Sequence, residues 1–210
     1  DLFKGEWILM KKAILKFCQL SVALSFLAIS TVSAEIVSQS FREIDSGSVP
    51  EFLPQGEIVE FFWYECPHCY RMEALLKEAG LNDQVVKVPA VLRGSWMYMA
   101  RVFYAMQAMK IDKQMHPLIF NEIHQNKNNL KTEEQLMAFL KSNDVDIDTF
   151  KKHFNGDSVH KQAKNAALLT RDFADGGVPA FVVNRQYVTS PSLAGTLEET
   201  LETVKMLMKK

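Results

Sequence analysis

The sequence predicts an α/β fold in which a small α/β unit is interrupted by a block of helices. Three observations predict it. Two apolar, β-branched-rich runs, residues 58–64 and 85–91, flank a segment of helical period at 70–78, which reads as strand, helix, strand. From Ser95 to about Asn165 the periodicity is helical throughout. Residues 180–183 and 186–189 then read as a β-hairpin, and 193–208 as a closing helix.

Each element has a local reason. Residues 41–44 make a short strand candidate, and 47–56, with Pro50 and Pro54, break both periods and read as a loop. Ile58-Val59-Glu60-Phe61-Phe62-Trp63-Tyr64 is apolar at nearly every position, as in a strand buried on both faces. With the strand at 85–91 it should pair in parallel through a right-handed crossover. The inserted block divides into 96–110, 113–125, 132–142 and 147–154, separated by polar breaks such as 126–129, and a further helix follows at 158–173. Thr132-Glu133-Glu134-Gln135 has the form of an N-terminal capping box. The methionines at 97, 99, 106, 109 and 115 recur at helical spacing and read as core rather than as a substrate surface. No internal repeat or low-complexity tract is present.

The N-terminal region reads as a secretory leader. Met10-Lys11-Lys12 and Lys16 supply positive charge, residues 20–29 are apolar, and Val32-Ser33-Ala34 matches a small-x-small cleavage site, so cleavage is expected after Ala34. Residues 1–9 precede the first methionine, and Lys4-Gly5-Glu6 is what a purine-rich ribosome-binding run would encode; synthesis is expected to start at Met10. The apolar stretch is interrupted by serines and short of the roughly 20 residues a membrane span needs, which favours a cleaved signal over an anchor. Cys18 lies too early to be a lipoprotein cysteine. Export favours a compartment where disulfides persist.

Residues 35–210 then form a mature chain suited to one domain, or one domain with an insertion. Four of the 24 Lys and Arg and two of the 25 Asp and Glu lie in residues 1–34, leaving 20 basic and 23 acidic side chains and a formal charge of −3. Such a balance gives no support to nucleic-acid binding.

Cleavage leaves Cys66 and Cys69 as the only cysteines, so any redox chemistry runs through Cys66-Pro67-His68-Cys69. The motif sits between a strand and a helix, which puts Cys66 at a helix N-terminus. Unpaired backbone N–H groups and the positive end of the dipole favour its thiolate there, and His68 adds positive charge. Cys69 lies one turn in, placed to attack a mixed disulfide at Cys66. Cys66 is therefore the expected nucleophile and Cys69 the resolving thiol. A structural zinc site would need four ligands, and the pairs His116/His124 and His153/His160 lack finger spacing; covalent haem fails because Tyr70 stands where a histidine is needed. No metal or cofactor is expected.

Glu60-Phe61-Phe62-Trp63-Tyr64, Cys66-Pro67-His68-Cys69-Tyr70 and Gly177-Val178-Pro179-Ala180-Phe181-Val182-Val183-Asn184 together resemble the DsbA family of periplasmic thiol-disulfide oxidoreductases. The resemblance covers the layout of residues 35–210 and is specific in these segments. It implies a thioredoxin-like fold with an inserted α-helical domain, divided as 35–92 and 165–210 for the thioredoxin-like domain and 93–164 for the insertion. The separation of Cys66 and Pro179 leaves room for the helical block.

The family also implies roles for single residues. Val178-Pro179 matches the cis-proline loop, which packs on the active-site disulfide and offers the backbone of Val178 to an extended substrate; the plain alternative is a loop proline before a strand. Valine before that proline resembles the oxidases more than the isomerases. Glu60 matches a carboxylate buried beneath the disulfide and paired with a lysine at the position of Lys87, able to relay protons; the alternative is a glutamate turned to solvent at a strand end. His68 tunes the thiolate and the redox poise, or is an incidental turn residue. Two residues depart from the pattern. Glu65, before the first cysteine, is commonly neutral and should oppose ionisation of Cys66. Asn184-Arg185 replaces a common Asn-Gly, which points to a wider or strained turn.

The function implied is an exported dithiol oxidase acting on newly exported proteins with free cysteines. A membrane quinone-linked, DsbB-like partner would reoxidise it, and a monomer without cofactor is expected. Two other readings compete: a reductase or isomerase working in the opposite direction, and a non-catalytic holdase that uses the groove beside Pro179.

Overall fold

The strands predicted on either side of the cysteine motif lie side by side in a mixed sheet. The computed structural model describes residues 40–210; the leader, its cleavage after Ala34 and the start at Met10 lie outside the described residues. In chain order the strands are β1 (Arg42–Glu43), β2 (Ile58–Phe62), β3 (Val85–Pro89), β4 (Ala180–Val183) and β5 (Tyr187–Thr189), and they are arranged β1-β5-β4-β2-β3. β2 runs parallel to β3; its other neighbour β4 is antiparallel, as are the β4–β5 and β1–β5 pairs. The β2–β3 register sets Glu60 opposite Lys87. Cross-strand partners point to the same face, so this register alone brings carboxylate and ammonium together.

The helices are α1 (Pro67–Glu78), α2 (Met97–Ala108), α3 (Asp112–His124), α4 (Glu133–Ser142), α5 (Ile147–Phe154), α6 (Asp157–Phe173), α7 (Pro191–Ala194) and α8 (Leu197–Leu207). The capping box at Thr132 is closed in both directions, and Asp146 caps α5 through the Thr149 N–H at 2.6 Å. The helix predicted over 193–208 is two helices. Gly195 takes a φ of 107° and ends the short α7, and Thr196 opens α8 with a second capping box to Glu199.

Two apolar clusters cover the sheet. Ile58, Phe181 and Val183 pack with Met72 and Leu76 of α1 and Leu201 and Val204 of α8. Val59, Phe61 and Val88 join the larger cluster built with α2 to α6. Each fully buried Phe or Leu contributes about 1.5–3 kcal/mol through burial. Met99, Met106 and Met115 lie in that core, and Met97 and Met109 pack on its margin.

The hairpin turn is tight rather than wide. Asn184 and Arg185 both have positive φ, 52° and 56°, and the Gln186 N–H donates to the Val183 carbonyl at 3.0 Å. For side chains with a Cβ this conformation costs roughly 1–2 kcal/mol per residue. Arg185 offsets it by donating to the carbonyls of Leu53 (2.7 Å), Pro50 (3.2 Å) and Pro54 (3.4 Å), and the Asn184 amide donates to the Leu207 carbonyl at 3.0 Å. The turn thereby ties the 50–54 loop and the end of α8 to the sheet.

Candidate active site

Cys66 is the N-cap of α1, with extended backbone (φ −82°, ψ 115°), and its Sγ accepts from the Cys69 N–H at 3.4 Å. Pro67 is the first helical residue, where its missing N–H costs nothing and its fixed φ suits the helix. Both cysteines are free thiols; Cys69 is fully buried, and Cys66 keeps a small exposed edge. Their chemistry is unequal. The Cys69 thiol beside it, acting against burial, holds Cys66 down to about 6, helped by the backbone N–H groups of Cys69 and His68 and by the charge of His68. Burial pushes Cys69 well above the ordinary thiol value, and the neighbouring Cys66 adds to the rise. One thiol is thus ionised near neutral pH and the other is not.

Val178 and Pro179 meet this pair from the far side of the helical block. The Val178–Pro179 peptide is cis, and the Val178 carbonyl lies 3.5 Å from Cys66 Sγ. His68 is exposed. A cleft of about 460 Å³ is lined by His68, Arg71, Val178, Pro179 and Glu198, with Arg71 and Glu198 paired at 3.3 Å. A larger cavity, about 610 Å³, lies between α3 and α4 and includes neither cysteine. Among the described residues, no group of three or more His, Cys, Asp and Glu side chains is placed to hold a metal ion.

Glu60 is fully buried in the middle of β2 and paired with Lys87 Nζ at 2.5 Å, not turned to solvent. Burial, only partly opposed by Lys87, raises its carboxyl to about 7. The negative charge of Glu60 pushes the Cys69 thiol up, and that of Cys66 pushes Glu60 up, so the carboxyl and the dithiol sense each other. Glu65 sits apart from this group, bound to exposed Lys131 at 2.8 Å.

Three residues of this cluster escape a reading of the sequence. Glu73 Oε1 receives Lys87 Nζ at 2.5 Å, so one ammonium bridges two carboxylates. His116 of α3 approaches the same oxygen, and the Tyr64 hydroxyl lies 3.0 Å from His116 Nδ1. The one available signal was the spacing of Glu73, which follows Cys69 by a helical turn and so shares its face. His116 and Tyr64 look like ordinary core residues in sequence. Tertiary contacts hold α3 in place: Tyr70 stacks on His124 at 4.7 Å and 7°, and His124 Nε2 meets the Tyr64 carbonyl at 2.8 Å.

The family model of the DSBA-like thioredoxin domain matches residues 57–202. This chain belongs to the DsbA family. The thiol:disulfide interchange protein DsbA of Burkholderia cepacia is 35% identical over 173 residues, covering 80% of this chain and 82% of that one. Its namesake in Pseudomonas aeruginosa is 32% identical over 170 residues, 79% of this chain and 81% of that one. The crystal structure of Pseudomonas aeruginosa DsbA superposes with a TM-score of 0.70 at 32% identity, covering 82% of this chain and 92% of that chain. Oxidoreductase DsbA from Xylella fastidiosa gives 0.69 at 29% identity, covering 81% and 94%. Membership makes this chain a DsbA-like protein thiol-disulfide oxidoreductase with the thioredoxin fold and its helical insertion.

Proposed function

We propose that this protein donates the Cys66–Cys69 disulfide to cysteines of newly exported proteins in the periplasm. The observation that carries the reading is the inequality of the two thiols, with Cys66 held down to about 6 beside the Val178 carbonyl and Cys69 buried and protonated. Whatever stabilises the Cys66 thiolate stabilises the reduced enzyme, which makes its disulfide a stronger oxidant.

In the oxidised enzyme a substrate thiolate attacks Cys66 Sγ. The Cys66–Cys69 bond breaks, the substrate–Cys66 bond forms, and Cys69 leaves with the electron pair. A second substrate thiolate then attacks the substrate sulfur of the mixed disulfide, forming the substrate disulfide and releasing Cys66 as a thiolate. Two electrons pass from the substrate dithiol to the enzyme. Cys69 must gain a proton because its buried site disfavours the anion, and Glu60, an acid near neutral pH with its Oε1 buried and lacking a hydrogen-bond partner, supplies it while Lys87 balances the carboxylate left behind. The Val178 backbone takes the extended substrate, with Pro67 and His68 facing it from the motif. Glu65, neutralised by Lys131, weakens the oxidant only slightly.

A membrane quinone-linked partner returns the enzyme to the disulfide form by accepting the two electrons. The leader directs export and is removed after Ala34; among the described residues no helix is long and apolar enough to cross a membrane. The protein acts as a monomer without cofactor, with 35–92 and 165–210 as the thioredoxin-like domain and 93–164 as the inserted one.

The deciding experiment is the equilibrium of the Cys66–Cys69 disulfide with glutathione. A strongly oxidising potential supports the donor, and a thioredoxin-like potential replaces it with the reductase. Loss of substrate oxidation in Cys66→Ser is also expected. Full function after replacement of both cysteines would leave only the holdase.

A further inference from the structure

His116 is a buried titratable side chain to which exchange chemistry assigns no task. It sits on α3, inside the helical insertion, yet its ring reaches the floor of the sheet. Nδ1 lies 3.0 Å from the Tyr64 hydroxyl, and Nε2 lies 3.4 Å from Glu73 Oε1, at the long edge of a hydrogen bond and off its line. Phe62, Phe103 and Phe120 present their edges or faces to the ring at 4.7, 5.9 and 5.0 Å and exclude water from it. The charged and titratable groups around it are Glu73 from α1, Lys87 from β3, Tyr64 just past β2 and Asp112 from its own helix.

Those partners assign its protonation. Burial disfavours the imidazolium and lowers His116 below the ordinary histidine value. In the neutral ring only one nitrogen carries hydrogen. A bare Nε2 would set a lone pair against the Glu73 carboxylate, so the hydrogen belongs on Nε2, and Nδ1 accepts from the Tyr64 hydroxyl.

We propose that His116 is a positioning residue of the exchange reaction: by meeting the same Glu73 oxygen that Lys87 holds, it decides how one ammonium is divided between Glu73 and Glu60. Lys87 brings one positive charge to two buried carboxylates. The less of that charge a carboxylate receives, the higher it titrates. Although burial works the other way, the His116 N–H and the Lys87 ammonium hold Glu73 below the ordinary carboxylate value, while Glu60, which has no such second partner, rises to about 7. The Nε2–H dipole supports Glu73 and leaves more of Lys87 to Glu60. Tyr64 fixes the tautomer that makes this possible. The inference rests on Glu60 being the proton carrier for Cys69.

The test is the titration of the Glu60 carboxyl carbon by NMR in the reduced protein, assigned by its loss in Glu60→Gln. In His116→Phe, Glu73 stays ionised near neutral pH because it starts so low, and draws harder on Lys87. The Glu60 midpoint should rise by at least about half a pH unit. His116→Gln, whose amide can both donate to Glu73 and accept from Tyr64, should return it toward the parent value. Tyr64→Phe, which removes one hydroxyl, should give a smaller rise. A Glu60 midpoint unmoved in folded His116→Phe overturns the proposal, and so does an unmoved midpoint in Tyr64→Phe if His116→Phe does not fold. The pH dependence of the rate at which the disulfide exchanges with glutathione separates the two readings: a Glu60 midpoint that moves while the rate profile stays unchanged keeps the effect of His116 on Glu60 but refutes Glu60 as proton carrier, and with it the place of His116 in the exchange reaction.

Discussion

Cys66 Sγ lies 3.5 Å from the carbonyl oxygen of Val178, a residue 112 positions further along the chain. The thiol at a helix N-terminus and the residue before the cis-proline therefore form one surface. A polypeptide laid along the Val178 backbone would carry its cysteine to Cys66, the more exposed of the two thiols of the motif.

Of the two thiols, Cys66 alone should titrate near neutral pH. The ultraviolet absorbance of the thiolate in the reduced protein is expected to rise with a midpoint at about 6, and Cys66→Ser should abolish the rise. His68→Gln removes a nearby charge and should move the midpoint up. A midpoint at the ordinary thiol value of 9.0 would mean that the N-cap does not hold the anion.

Glu65 and Lys131 form a pair 2.8 Å apart at the rim of the motif, and opposed charges this close largely cancel at a distance. Glu65→Gln should lower the Cys66 midpoint by no more than about half a unit. Lys131→Met exposes the carboxylate and should raise it by a similar amount. The same thiolate titration reads both variants; a Glu65→Gln midpoint that stays or rises shows that this charge has no purchase on the sulfur.

Glu60 should make the reduced protein less stable as pH rises. Its carboxyl ionises at about 7 when folded against an ordinary 4.5, so between these values the folded state binds more protons than the unfolded one. The stabilisation is complete below 4.5 and lost as pH approaches 7, a fall of roughly 3 kcal/mol. Cys66 from about 6 upward, and His116 with its folded value below the ordinary 6.5, act in the opposite sense, so the comparison is between Cys66→Ser and the same background carrying Glu60→Gln. Urea unfolding across that window should show the slope, and adding Glu60→Gln should flatten it.

Arg185 is worth more than the strain it carries. Replacing it with glycine relieves about 1 kcal/mol of left-handed backbone cost but removes charge-assisted hydrogen bonds to Leu53 and Pro50 that contribute about 1.5–3 kcal/mol each. Arg185→Gly should therefore lower stability by about 2–5 kcal/mol, measured as a lower Tm with little change in the Cys66 titration. A Tm that rises would show that the three carbonyl contacts contribute nothing.

The turn also marks where local reading fails. Asn184-Arg185, lacking the usual glycine, left a wider or a strained turn open, and the structure has the strained one, kept tight by tying Arg185 to carbonyls far earlier in the chain. Gly195-Thr196 was the reverse: the glycine and the capping-box spacing to Glu199 were in view, yet the apolar period across them concealed the break. The strands expected at 58–64 and 85–91, which end two residues earlier at Phe62 and Pro89, and the helix start beside Cys66 were legible because each rests on a short run of residues.

By itself the sequence determined the order of strands and helices, the cysteine pair and its place at a helix N-terminus, since side-chain period and N-terminal hydrogen bonding are local properties. The resemblance carried Glu60, Lys87 and Val178-Pro179 toward the site. Only the tertiary structure decided that Glu60 is sealed from water, that Lys87 serves Glu73 as well, and that His116 and Tyr64 complete the cluster. The physical reason is that the cost of a buried charge depends on everything packed around it, and here those neighbours come from β2, β3, α1 and α3 at once.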